Sequence, residues 1–175
     1  MSVTPASLEV GNVVLSGLLT DDERFALGEA AKSFESGAGV ATDLPYRAVA
    51  FTRLLFHERL LNAVAEHLGP NVQYWGSCFF RANHVGTVPS EPGVLNCLIP
   101  LGGFASQWNG QTNASPGGPV YLSTRSWEIT RNDGGVIVLQ YRSPDGERPD
   151  ALVPSRGMML RGENPDFVKA AEFRW

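Results

Sequence analysis

The sequence predicts a mainly β fold, a sandwich or small barrel of short strands supported by two α-helices near the N-terminus. Three observations carry that reading. Glycine and proline, 19 and 12 of the 175 residues, exceed average usage and imply many turns and short elements rather than a helical bundle. Helical periodicity is confined to the stretch before Gly69. Beyond it come about six runs of apolar, aromatic and β-branched residues separated by turn signals.

Val13 to Leu19 is a short apolar strand or extended run closed by Thr20. Thr20-Asp21-Asp22-Glu23 is a capping box, in which the threonine oxygen and the glutamate each satisfy a backbone donor that the first helical turn leaves unpaired. A helix therefore starts here, and Leu27, Ala30, Ala31 and Phe34 give it one apolar face. Ser36, Gly37 and Gly39 end it. Gly37 to Pro45 reads as a polar loop, and Tyr46 to Leu55, apolar with Arg47 and Arg53 interspersed, leaves helix and strand both open. His57 to Leu68 is the second helix, with Leu60, Leu61, Val64 and Leu68 as its buried stripe; His57 and His67 read as capping or surface residues. Gly69 and Pro70 stop it, glycine by taking a left-handed cap and proline by lacking the donor to continue.

Val72 to Arg81 then reads as β. Strict alternation would set Gln73, Trp75, Ser77, Phe79 and Arg81 on one face, a mix of large apolar groups and polar tips that suits the wall of a pocket. Ala82 to Gly93 is a loop holding His84, Pro89, Glu91 and Pro92. Val94 to Leu101 is a strongly apolar strand turned by Gly102-Gly103. Gln107 to Pro119 is a polar loop too long for a hairpin turn, and long ordered loops in compact domains are often functional. Val120 to Thr124, Trp127 to Thr130 and Val136 to Tyr141 are strands, the last two joined by a hairpin turn at Asn132-Asp133-Gly134-Gly135. Met158 to Arg161 is a final strand and Pro165 to Ala171 a helical turn. The expectation is a single domain over 1–175, with strand and helices in 1–69, barrel strands in 70–162 and a tail in 163–175.

The formal net charge of -4 is mild and the basic residues do not cluster, which argues against a nucleic-acid or anionic-membrane surface. No apolar run reaches transmembrane length and the N-terminus lacks a signal-peptide pattern, so a cytoplasmic protein is expected. Cys78 and Cys97 fall in different strands without CxxC spacing and are expected as free thiols.

His57 to Arg81, HERLLNAVAEHLGPNVQYWGSCFFR, resembles the segment that leads into the barrel of the phytanoyl-CoA dioxygenase family, whose members are iron and 2-oxoglutarate oxygenases. Gly11 to Phe34, GNVVLSGLLTDDERFALGEAAKSF, is similar to that family's opening strand and first helix. The resemblance implies a double-stranded β-helix, the cupin or jelly-roll barrel, in a compact version. It also implies where a metal would sit. Such oxygenases hold iron with two histidines and one carboxylate on one face of the ion. In the family the first histidine and the carboxylate form a His-x-Asp or His-x-Glu pair after the strand that here ends at Arg81. The second histidine lies near the far end of the barrel, followed by an arginine for 2-oxoglutarate.

This chain departs from that pattern. Its only histidines are His57, His67 and His84, and His84 is followed by Val85 and Gly86. The distal histidine would align near Trp127, Glu128 and Arg131, and Val136 to Tyr141 is apolar apart from Gln140, with Arg142 just beyond. The expectation is therefore the fold without the iron chemistry: no metal and no cofactor. A histidine-poor set of His84, Glu91 and Glu128 is the alternative ligand group. Neither a nucleophile elbow, a phosphate-binding loop nor a dinucleotide fingerprint is present, and strand cysteines are more often inert than nucleophilic.

What remains is an aromatic-walled pocket. Trp75, Ser77, Phe79, Asn96, Trp108, Asn109 and Gln111 are the candidate substrate-binding residues, and His84, Arg81 and Tyr141 the candidate catalytic donors. The expected ligand is a small apolar or amphipathic molecule. The leading function is a metal-independent cyclase or isomerase acting on a bulky apolar biosynthetic intermediate, with shape and a few donors supplying the catalysis. An oxygenase with unusual ligands around His84 and a non-catalytic binding protein or enzyme subunit are the alternatives. Exposed strand edges make a homodimer the default assembly.

Overall fold

The computed structural model describes residues 8–34, 40–42, 44, 48–108, 111–115, 118–143 and 159–161. They form three layers: helices, a seven-stranded antiparallel sheet, and a four-stranded antiparallel sheet.

Thr20 caps α1 (Asp21–Ala31) with both halves of the capping box made, and Leu27 is its buried residue. Three residues, Lys32–Phe34, extend α1 as a 3-10 turn. The undecided stretch becomes α2 (Val49–Leu55), which buries Phe51, Leu54 and Leu55. The fold therefore has three early helices rather than two. In α3 (Glu58–Leu68) all four predicted stripe residues are buried, His57 caps the N-terminus through Nδ1, and Gly69 closes the helix at φ 91°.

The strands are β1 (Val13–Leu15), β2 (Val40–Thr42), β3 (Val72–Phe80), β4 (Gly86–Val88), β5 (Val94–Pro100), β6 (Phe104–Trp108), β7 (Gln111–Ser115), β8 (Val120–Ser123), β9 (Trp127–Asn132), β10 (Val136–Arg142) and β11 (Met159–Arg161). The major sheet runs β1-β8-β5-β10-β3-β11, with β2 also on β3, and the minor sheet runs β4-β9-β6-β7. Strands β3 to β10 thus alternate between the two sheets, except at the β6–β7 hairpin within the minor sheet, in the order of a double-stranded β-helix.

Three segments differ from the sequence reading. β2 lies in the stretch read as a polar loop, and β4 in the loop after Arg81. The long polar loop is in its first half a hairpin of β6 and β7, paired from Phe104↔Ser115 to Trp108↔Gln111. The helical turn expected at Pro165 to Ala171 lies outside the described residues.

Alternation along the major sheet sends its two faces to two cores. Ile137, Leu139 and Tyr141 of β10 pack toward the helices with Leu55, Leu60 and Val64. Val136 and Val138 point inward, where they meet Phe80, Val88, Leu98, Phe104, Tyr121, Trp127 and Ile129 between the sheets. Tyr121 lies 5.4 Å from Phe104 and 5.7 Å from Trp127, centroid to centroid, so three aromatic rings fill much of the barrel. Cys78 on β3 and Cys97 on β5 are both free thiols.

Candidate functional site

The barrel is not filled to its mouth. Between β3, β10 and β4 lies a cleft of about 350 Å³ lined by Tyr74, Trp75, Gly76, Ser77, Cys78 and Phe80 of β3 and Val138 and Gln140 of β10, with Thr87, Val88 and Pro89 on the β4 side.

A β-bulge sets its shape. The β3–β10 register passes from Gly76↔Gln140 to Tyr74↔Tyr141, which leaves Trp75 as the extra residue. Strict alternation therefore fails at that point. Phe79 packs in the helix-side core. The Ser77 hydroxyl also turns that way, accepting from the Leu44 amide at 3.0 Å and lying 2.8 Å from the Tyr74 hydroxyl. Trp75 and Ser77 of the predicted face both border the cleft, and the Trp75 side chain is held there. Its Nε1 donates to Glu91 Oε1 at 3.0 Å, and the Arg142 guanidinium stands 4.1 Å from its ring centroid.

The inner face of the major sheet carries a row of polar residues, Ser123, Asn96 and Gln140, opposite one another across β8, β5 and β10. Asn96 is fully buried and makes two bonds: its Nδ2 donates to the Pro89 carbonyl at 3.1 Å, and its Oδ1 accepts from Gln140 Nε2 at 3.0 Å. One buried carboxamide thus ties the cleft floor to the loop that receives Trp75. Burial pushes the Cys78 thiol up to about 12, so it is neutral at physiological pH.

The remaining predicted residues are spread out. Tyr141 is wholly buried in the helix-side core, and its hydroxyl has no hydrogen-bond partner among the described residues. Burial, then Cys97 and Tyr74, push its ionisation far up. It sits near the end of β10 opposite Val136, roughly 16 Å along the strand at about 3.3 Å per residue. The predicted trio is therefore not one constellation: Tyr141 faces the helices, whereas Arg81 and His84 stand on the turn between β3 and β4. Arg81 borders a separate surface hollow with Lys32, Phe79 and Gly134. His84 stacks on the cleft-lining Phe80, centroids 5.7 Å apart. Asn109 lies outside the described residues, as do the side chains of Trp108 and Gln111. Gln140 was absent from the predicted site, although a lone amide in an otherwise apolar strand was its signal.

Asn132 positions the Arg81–His84 turn. Its Nδ2 lies 3.3, 2.8 and 2.9 Å from the carbonyls of Phe80, Arg81 and His84, its Oδ1 accepts from Gly135 N at 2.7 Å, and its own carbonyl accepts from Asn83 N. Asn83 takes a left-handed φ of 70° to make that turn.

The residues present do not fit an iron held by two histidines and a carboxylate. His57 caps α3 and His67 is in its last turn, about 15 Å away at 1.5 Å per residue, while His84 is in the β3–β4 turn. His57 and His67 are thus too far apart to share one ion. Near the place where the resemblance would set the distal histidine, β9 presents Trp127, paired with Val88 of β4 and buried among apolar groups, and leaves Glu128 and Arg131 exposed. The alternative set does not converge either: Glu91 bonds Trp75, and Glu128 is exposed on the outside of β9. Among the described residues no three His, Cys, Asp or Glu side chains are grouped to hold a metal ion.

No protein-family model matches the sequence, and no curated protein matches it. In structure the chain is similar to HygX from Streptomyces hygroscopicus, solved with nickel and 2-oxoglutarate bound, at a TM-score of 0.62 and 11% identity over 79% of this chain and 84% of HygX. It is similar to SnoN, a non-heme α-ketoglutarate-dependent epimerase from nogalamycin biosynthesis, at a TM-score of 0.63 and 15% identity over 90% and 94% of the two chains. A third likeness is to ThoJ, a non-heme monooxygenase solved with nickel, at a TM-score of 0.61 and 18% identity over 91% and 84%. This chain has their fold. The mainly β, jelly-roll expectation holds, with the cleft at the mouth of the barrel.

Proposed function

We propose that the protein is an enzyme that rearranges a bulky, largely apolar biosynthetic intermediate inside the barrel-mouth cleft, as a cyclase or isomerase, without iron or 2-oxoglutarate. The observation that carries this reading is that, among the described residues, no group of His, Cys, Asp or Glu side chains assembles to hold a metal, while a cleft walled by Trp75, Cys78 and Phe80 remains open between β3, β10 and β4. The likeness to a non-heme epimerase from nogalamycin biosynthesis, at the level of fold, supports the substrate class.

The chemistry available follows from the lining. Among the described residues it includes no Asp, Glu, Lys, Arg or His, and its thiol is neutral, so this lining is not built to exchange protons near neutral pH. It can hold a flexible molecule in one reactive conformer, exclude water and polarise one group through Gln140. Conformational restriction of that kind accounts for several kcal/mol of a unimolecular barrier. His84, behind Phe80, is the titratable group available for a proton transfer at the margin.

The same neutral lining favours a second reading, a carrier that binds such molecules without turnover. Incubation of the protein with a panel of neutral polyketide-type polyenes and polycycles in excess chelator, followed by chromatography and mass spectrometry, separates the readings. The enzyme reading expects a new product of unchanged mass, at least tenfold slower to form with Trp75→Ala. Products gaining an oxygen atom, formed only when iron and 2-oxoglutarate are added, would overturn it. Bound but unaltered compounds would favour the carrier.

A further inference from the structure

We infer that the cleft selects a neutral, flat, largely apolar molecule carrying a hydroxyl or N–H donor, and that Gln140, oriented by Asn96, is the residue that reads the donor. This rests on the functional reading above and gives that reading its substrate class.

The orientation of both carboxamides is forced. The Pro89 carbonyl can only accept, so Asn96 must turn Nδ2 toward it, 3.1 Å away. Its Oδ1 then faces β10, and Gln140 must present Nε2 to it, 3.0 Å away. Gln140 Oε1 is what remains: it belongs to a half-buried, cleft-lining side chain, and it has no hydrogen-bond partner among the described residues. A ligand that covers the cleft would strip water from that oxygen, so a ligand without a donor would leave it unsatisfied.

Charge is excluded on the same grounds. Glu91 and Arg142 are the ionic groups beside the cleft, and both are engaged with Trp75, one at Nε1 and the other over the ring. A carboxylate or ammonium ligand would lose its hydration and meet no counter-ion in the lining. Fixed from two sides, the Trp75 ring offers a pre-organised aromatic wall that costs little entropy to use, which favours a planar partner.

The test uses three probes of one skeleton, 2-naphthol, 2-methoxynaphthalene and 2-naphthoate, titrated into the intact protein by calorimetry. Wild-type protein is expected to bind 2-naphthol about fivefold to tenfold more tightly than the methyl ether, the scale of one hydrogen bond, and 2-naphthoate most weakly. Gln140→Met should bring 2-naphthol down to the level of the ether without weakening the ether. Asn96→Leu should also reduce the ratio, which a merely structural role would leave unchanged. The wild-type ratio needs no variant to fold. Equal binding of naphthol and ether by wild-type protein would overturn the inference while leaving the cleft as a binding site. Binding of none of the three would overturn the cleft reading with it, and preference for naphthoate would show an anion site instead.

Discussion

Asn132 shows how much one buried side chain can hold. It is 3% exposed and joins the β9–β10 turn to three carbonyls of the turn that carries Arg81 and His84. Asn132→Ala should destabilise the protein by about 2 kcal/mol or more in urea unfolding, since it strands several polar groups away from water. Glu23 gives a second residue-level prediction. Burial alone would raise its pKa, but the Thr20 amide and hydroxyl and the His57 imidazole outweigh that and hold the carboxyl below its usual range. A depressed folded pKa adds stability above the unfolded value, near 4.3, and that stability is lost as pH falls through the folded value. Glu23→Gln should therefore cost about 0.5 kcal/mol at pH 7, and the gap between variant and parent in thermal melts should close in acid. Trp75, a large aromatic, and Asn96, a lone amide, stand out in their strands in the sequence, and the structure sets the first at the cleft and bonds the second to the cleft-lining Gln140. Tyr141 was misjudged: sequence gives a tyrosine's strand but not which of two cores that strand face meets.

Secondary elements were most legible where local chemistry decides them. The capping box set the start of α1, the leucine stripe and Gly69 set α3, and the apolar runs of β5 and β10 read directly. The misses have one physical cause, pairing. β2 and β7 are composed as loops and become strands because β3 and β6 offer unpaired backbone beside them. β4 is three residues long, too short to show a period. The bulge at Trp75 likewise answers to the β10 register and not to any signal in its own residues. Turn packing supplies a test at this scale. The β5–β6 and β9–β10 turns cross so closely that a Cβ on Gly102 would lie 2.8 Å from Gly134 N, against backbone that cannot step aside. Gly102→Ala should lower stability by about 1–3 kcal/mol in denaturant titrations.

At the level of the whole molecule the jelly roll sets two sheets face to face, and what fills the space between them decides the chemistry. In this chain Phe104, Tyr121 and Trp127 pack the interior, and a cleft whose described lining is uncharged stays open at the mouth. Turn density and strand count made a sandwich or small barrel legible, and the resemblance of the first half of the chain narrowed it to a jelly roll. The cleft was legible only in part, because its walls come from strands far apart in sequence and its bulge is a tertiary effect. The central claim, a barrel that works without the metal centre, is tested most directly by anaerobic calorimetric titration of chelator-treated protein with iron(II) and 2-oxoglutarate, with elemental analysis of the dialysed product. The account predicts no saturable heat and less than a tenth of an iron per chain after dialysis. One iron per chain, retained together with one 2-oxoglutarate, would contradict it.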